Sequence, residues 1–143
     1  MFAARAVHLD TVIRPALACG EWVVCDRFTD ATRAYQGAGS GVDRGFIEYL
    51  ACGVHGDLAP DLTLLLDLPV PQGLERARRR SSGADRFEAE ADAFFHRVRD
   101  EYLAIARREA ARVRIIDASQ PPAEVERQVR AAVAPFFAKA GAA

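Results

Sequence analysis

Asp26 and Arg27 stand side by side at the end of the apolar run Trp22-Val23-Val24-Cys25, and Thr32, Tyr35 and Gln36 follow closely. A carboxylate next to a guanidinium at the carboxyl end of a buried strand lies where open α/β sheets commonly place their chemistry. The pair suits the organisation of a magnesium-bound nucleotide and the neutralisation of charge on a transferring phosphoryl group. Taken alone, it is more often an ordinary structural ion pair. Phe28 adds an aromatic face that either meets a base or plugs the core beneath the strand.

A second set of candidates lies further along. Arg76, Arg78, Arg79, Arg80 and Arg86 form a basic cluster running into Asp85-Arg86-Phe87-Glu88. It reads either as a solvated helix face or as an anion-binding lid over about 76–88. Ser119 and Gln120 fit a turn or cap before the last helix. His8 and His55 sit in no recognisable nucleophile arrangement and are read as incidental, since phosphoryl transfer needs no covalent histidine intermediate. Cys19, Cys25 and Cys52 are odd in number and lack metal-ligand spacing, so reduced thiols are expected.

These residues need a scaffold, and the apolar pattern supplies one. Phe2, Val7, Val12, Ile13 and Leu17 suit a helix with Pro15 near its end. Trp22–Cys25 reads as a short buried strand, Gln36–Gly45 as a flexible glycine-rich connection, and Phe46–Cys52 as a helix. Leu62–Leu68 is an almost continuously apolar strand between Pro60 and Pro69, of the kind buried beneath crossover helices. Gly73 to about Arg80 reads as a basic helix, and Glu88–Ala111 carries Phe94, Phe95, Val98, Tyr102, Leu103 and Ile105 at helical spacing. Val113–Ile116 is the third strand, and a helix from Ala123 to Phe137 follows Pro121-Pro122. Strands separated by helices in this order imply right-handed crossovers and a mostly parallel sheet.

Composition narrows the function classes. A chain of 143 residues that is 50% hydrophobic suits one α/β domain spanning residues 1–143. Its 19 basic and 20 acidic side chains nearly cancel, so the surface as a whole has little pull on a nucleic-acid polymer or an anionic membrane. No apolar stretch reaches the roughly 18 residues of a membrane span, and Met1 opens no secretory signal pattern, which points to a cytoplasmic protein.

The run Asp26-Arg27-Phe28 followed by Thr32-Arg33-Ala34-Tyr35-Gln36-Gly37 resembles bacterial thymidylate kinase. The likeness continues through Val12–Leu17, Pro60–Asp67, Asp85–Glu88 and Ile116–Pro121, and so covers essentially the whole chain. It implies a P-loop NTPase-like three-layer α/β fold with a mostly parallel sheet, and transfer of a phosphoryl group from ATP to dTMP with Mg2+. By the same resemblance Arg27 contacts phosphate, Asp26 indirectly organises magnesium, and Arg5 reaches the monophosphate. Thr32 and Gln36 fall near the thymine, Tyr35 beside the deoxyribose, Arg78, Arg80 and Arg86 on the donor lid, and Ser119 and Gln120 by the adenine. Asp26, Arg27 and Arg86 would be the catalytic set. Helix packing leaves a homodimer open. Ser40 stands where relatives often carry an arginine.

One part of the family pattern has no counterpart. No Gly-x-x-x-x-Gly-Lys-[Ser/Thr] run occurs in the chain, and Gly37-Ala38-Gly39-Ser40-Gly41 lacks the following lysine. The resemblance is therefore to a thymidylate kinase without its first strand and phosphate loop, truncated at the amino terminus. A nucleotide-binding remnant without turnover and a structural interaction domain are the alternatives.

Overall fold

The computed structural model describes residues 1–80 and 88–140 and divides into two compact units, Met1–Ala59 and Pro60–Ala143. The first unit opens with helix α1 (Phe2–His8), a wider π-helical turn (Leu9–Ile13) and helix α2 (Arg14–Ala18). The wide turn has a local cause. Pro15 contributes no amide hydrogen, and the Arg14 amide just before it bonds back to the Leu9 carbonyl, an adjustment typical of helices interrupted by proline. Leu9 and Ile13 point inward and are buried, while Val7 and Val12 remain exposed.

Trp22–Cys25 does not form the expected strand. A strand must pair its amides and carbonyls with a neighbour, and among the described residues the sheet joins only two other segments. Trp22 and Val24 are accordingly 56% and 97% exposed, the opposite of a doubly covered strand. The chain reaches Asp26 and Arg27 outside any sheet ladder, and Arg27 takes a φ of +61°. That left-handed turn is unfavourable for a side chain with a Cβ and costs on the order of 1–2 kcal/mol.

Helix α3 (Thr29–Thr32) continues without a break into π-helical Arg33–Gly39. The expected flexible connection therefore shrinks, because Gln36, Gly37 and Gly39 are helical and only the stretch from Ser40 to Asp43 crosses to the next helix. Tertiary packing overrides the low helix propensity of glycine here. A Cβ on Gly37 would stand 3.3 Å from Ile47 Cδ1, so the glycine lets helix α4 (Arg44–His55) come close. Asp43 caps α4 by accepting from the Phe46 amide. Ile47, Ala51 and His55, four residues apart, form its buried stripe.

In the second unit strand β1 (Thr63–Asp67) pairs in parallel with strand β2 (Val113–Asp117), in a register that sets Asp67 opposite Asp117. The crossover between them consists of α5 (Val70–Arg80) and α6 (Glu88–Arg108), and α7 (Pro122–Ala140) follows β2. These elements agree with the sequence expectation, with β1 two residues shorter than the expected Leu62–Leu68 and β2 one residue longer than the expected Val113–Ile116. Ile105 and Ala106 of α6 pack with Val113 and Leu65 to form the core of this unit. No helix among the described residues is long and apolar enough to cross a membrane.

Candidate nucleotide site

In the first unit α1 carries Arg5 to the beginning of α3. Its Nη2 donates to the Phe28 carbonyl at 3.3 Å and to Thr32 Oγ1 at 3.1 Å. The guanidinium carbon lies 5.3 Å from the ring centroids of both Phe2 and Phe28, within cation–π range. Burial lowers the Arg5 pKa and the nearby Cys25 offsets this in part, yet an arginine keeps its charge under any such shift. The result is a half-buried cation fixed by carbonyl, hydroxyl and ring faces.

Two polar atoms of the candidate residues are left unmet. Among the described residues, the buried side-chain atoms without a hydrogen-bond partner are Arg5 Nη1, Gln36 Oε1 and His55 Nε2. Leaving such an atom unmatched costs about 1–3 kcal/mol, so each asks for an explanation. The guanidinium nitrogen is a donor that an anion would satisfy, and the amide oxygen is an acceptor that an N–H group would satisfy.

Thr32 is not open to a ligand. It is 2% exposed, accepts from Arg5 and donates to Met1 Sδ at 3.4 Å, so its hydroxyl works as a support for Arg5. Tyr35 is half-buried, and the Arg27 guanidinium lies 4.9 Å from its ring centroid. Asp26 and Arg27 are exposed. Ser40 closes the end of the π-helical segment by donating to the Tyr35 carbonyl at 3.0 Å.

His55, which reads as incidental in the sequence, is 4% exposed and sits in this cluster. Its Nδ1 lies 3.1 Å from Thr29 Oγ1, its ring centroid is 4.7 Å from that of Phe28 and 5.9 Å from that of Phe2, and its carbonyl accepts from Arg14 Nη2. Burial lowers its pKa, and the positive charges of Arg5, Arg33 and Arg14 lower it further, so the ring is held neutral. A signal was present in the sequence: His55 completes the four-residue spacing begun by Ile47 and Ala51, which places it on the core stripe of α4.

The second unit gathers the other candidates at the carboxyl ends of its strands. Asp117 Oδ1 accepts from the Ser119 amide at 2.9 Å and from Ser119 Oγ at 2.5 Å, and Oδ2 accepts from Gln120 Nε2 at 2.9 Å. These bonds lower the Asp117 pKa. Arg76 of α5 donates to the Ala118 carbonyl at 3.0 Å, tying the start of the basic cluster to this turn. The Arg78 side chain is exposed on the same helix. Arg86 and the side chain of Arg80 lie outside the described residues. Asp67 is gripped at both oxygens by Arg99, at 2.7 and 2.8 Å.

Among the described residues no group of three or more His, Cys, Asp or Glu side chains is gathered so as to hold a metal ion. Asp26 presents a single exposed carboxylate, which fits magnesium carried in on nucleotide phosphates rather than a preformed protein cage.

A family model described as thymidylate kinase matches residues 1–129. The thymidylate kinase of Methylococcus capsulatus is 59% identical over 126 residues, which are 88% of this chain and 60% of that protein. That of Alcanivorax borkumensis is 54% identical over 129 residues, 90% of this chain and 62% of the relative. Among solved structures, the crystal structure of thymidylate kinase from Ehrlichia chaffeensis aligns with a TM-score of 0.63 at 31% identity, over 85% of this chain and 53% of that one. The chain thus spans about 60% of the length of the curated relatives it matches.

Proposed function

The chain belongs to the thymidylate kinase family, and from that premise we propose that it carries the dTMP-accepting portion of an enzyme that transfers a phosphoryl group from ATP to dTMP, giving dTDP and ADP. The observation that carries this reading is Arg5: a half-buried guanidinium whose Nη2 bonds to the Phe28 carbonyl and the Thr32 hydroxyl while Nη1 has no hydrogen-bond partner. A dianionic phosphate satisfies that donor with a charge-assisted bond. Gln36 Oε1, an unmet acceptor, suits the N–H of a thymine ring.

Each remaining residue has a role of its own. Phe2 and Phe28 hold the Arg5 guanidinium between apolar faces, which keeps water from competing for it. Arg27 presents its charge beside Tyr35 at the left-handed turn, where it meets the transferring phosphoryl group while Tyr35 packs beside the sugar. Strain retained at such a position is common at functional sites. The Asp117–Ser119–Gln120 turn forms the adenine side of the donor site, and the arginines of α5 and the following segment, Arg78, Arg80 and Arg86, close over the donor phosphates. Magnesium, when bound with ATP, neutralises charge on the phosphates, and Asp26 orients it through its hydration shell. The setting is cytoplasmic, in keeping with three free, exposed cysteines.

The sequence contains no lysine-bearing phosphate loop, so binding without turnover by the 143-residue chain is the second reading. The two are separated by measuring dTMP-dependent formation of ADP from ATP with magnesium, alongside dTMP binding by calorimetry. Turnover that disappears in Arg27→Ala supports the kinase reading for this chain. Binding without turnover places the transfer step in a longer form of the protein. A folded chain that does neither sinks the acceptor-site assignment.

A further inference from the structure

We infer that His55 is a positioning residue of the acceptor site, its imidazole bracing the two phenyl rings that hold the phosphate-seeking guanidinium of Arg5. The inference rests on the acceptor reading above and goes beyond it, because the His55 ring, with Nδ1 on Thr29 and Nε2 without a partner, reaches Arg5 through the two phenyl rings and not by a hydrogen bond.

Arg5 has a long, flexible stem and gains little from an anion unless its head is already held in place. Its hydrogen bonds restrain only one nitrogen, Nη2. The guanidinium plane is confined by Phe2 and Phe28, both 5.3 Å from its carbon. Each of those rings also contacts the His55 imidazole, at centroid distances of 5.9 and 4.7 Å and with the same tilt of 37°. One side chain therefore touches both walls. Phe2 comes from α1 and Phe28 from the residue before α3, so no single helix could keep the two rings in register.

His55 is itself immobilised. Its Nδ1 is bonded to Thr29 Oγ1 at the start of α3, Arg14 of α2 donates to its carbonyl, and the residue is buried. An apolar residue would fill this core position without leaving Nε2 unmatched. The polar ring supplies what an aliphatic side chain lacks: a flat face for two aromatics together with an edge that fixes its rotation against Thr29.

The test compares dTMP with thymidine, which lacks the phosphate, by calorimetry on the 143-residue chain and its variants, with circular dichroism verifying the fold. The readout is the affinity ratio of dTMP to thymidine. Loss of general packing weakens both ligands together and leaves the ratio alone, whereas a displaced Arg5 weakens only dTMP. His55→Asn keeps a partner for Thr29 but removes the ring, and it should lower the ratio about tenfold, as expected for a misplaced binding group. His55→Phe keeps the ring and should hold the ratio within about twofold of the parent.

Arg5→Ala separates the two levels of argument. If it leaves the ratio unchanged, the acceptor reading fails and this inference with it. A ratio lowered by Arg5→Ala but untouched by a folded His55→Asn overturns the role of His55 alone. Should His55→Asn not fold, a folded His55→Phe decides, and a fall of about tenfold in its ratio overturns the bracing role of the ring.

Discussion

Arg5 and Arg33 are both partly buried arginines of the first unit, and their surroundings make them opposites. Arg33 donates from Nε and Nη2 to the two oxygens of Glu48 at 2.8 Å, and from Nη1 to Asp30 at 2.9 Å. The hydrogen bonds to Glu48 raise its pKa most, and burial opposes them. Arg5 meets a carbonyl, a hydroxyl and two rings, and burial lowers its pKa. The Arg33 network ties α3 to α4 and is closed in that all three guanidinium nitrogens meet carboxylates. Arg5 keeps a donor in reserve, and an unspent buried charge is what an anion can use.

Three variants and one pH experiment sharpen this contrast. Arg33→Ala removes the ion pair to Asp30, 8% exposed, and severs the tie to Glu48. It should destabilise the fold by about 3 kcal/mol, read from urea midpoints. Arg5→Ala should leave the midpoint nearly unchanged, because its unmet Nη1 is a cost that the substitution removes. It should instead weaken dTMP binding about 30-fold, or ~2 kcal/mol. A large stability loss in Arg5→Ala together with unaltered dTMP binding would erase the distinction between the two arginines.

The second unit offers the same test with a pair that is not among the acceptor candidates. The Asp67–Arg99 pair is bidentate and partly exposed, at 19% and 32%. Arg99→Ala should cost about 1.5 kcal/mol of stability. It belongs to the closed kind, so dTMP affinity of the folded variant should match the parent in calorimetry.

His55 yields the smallest expected effect. An unfolded histidine titrates near pH 6.5, and burial with three surrounding arginines lowers the native value. As pH falls below about 6.5, the unfolded chain takes up the proton first. Stability from this group is therefore full above that pH and declines as pH drops toward the lowered native value. Urea midpoints of the parent should fall more between pH 7.5 and pH 5.5 than those of His55→Phe, conditions chosen to bracket the usual value of about 6.5. Equal falls would show that His55 titrates normally.

Much of the molecule was legible beforehand, most clearly in the second unit. Leu62–Leu68 and Val113–Ile116 combine apolar runs with flanking proline or turn residues, and both became strands. Pairing partners for these segments exist inside the unit, so local pattern and tertiary structure agree. Trp22–Cys25 carries the same pattern and formed no strand, because strand formation depends on a neighbour that a local pattern does not specify. Gln36–Gly39 erred the other way. Its glycines read as a break, yet the close approach of Ile47 to Gly37 favours continued helix.

The residue types at the candidate site, and their order, were settled by the sequence itself: Asp26-Arg27-Phe28, Thr32, Tyr35, Gln36 and Arg5 form a pattern specific enough to place the chain in its family. What each atom is free to do was decided only by tertiary structure. Thr32 spends its hydroxyl on Arg5 and Met1, Arg33 is consumed by two carboxylates, and His55 is drawn from an unremarkable helix end to the back of Phe28. Hydrogen-bond capacity is a property of neighbours, and residues 5, 28, 32 and 55 become neighbours only when helices α1, α3 and α4 pack.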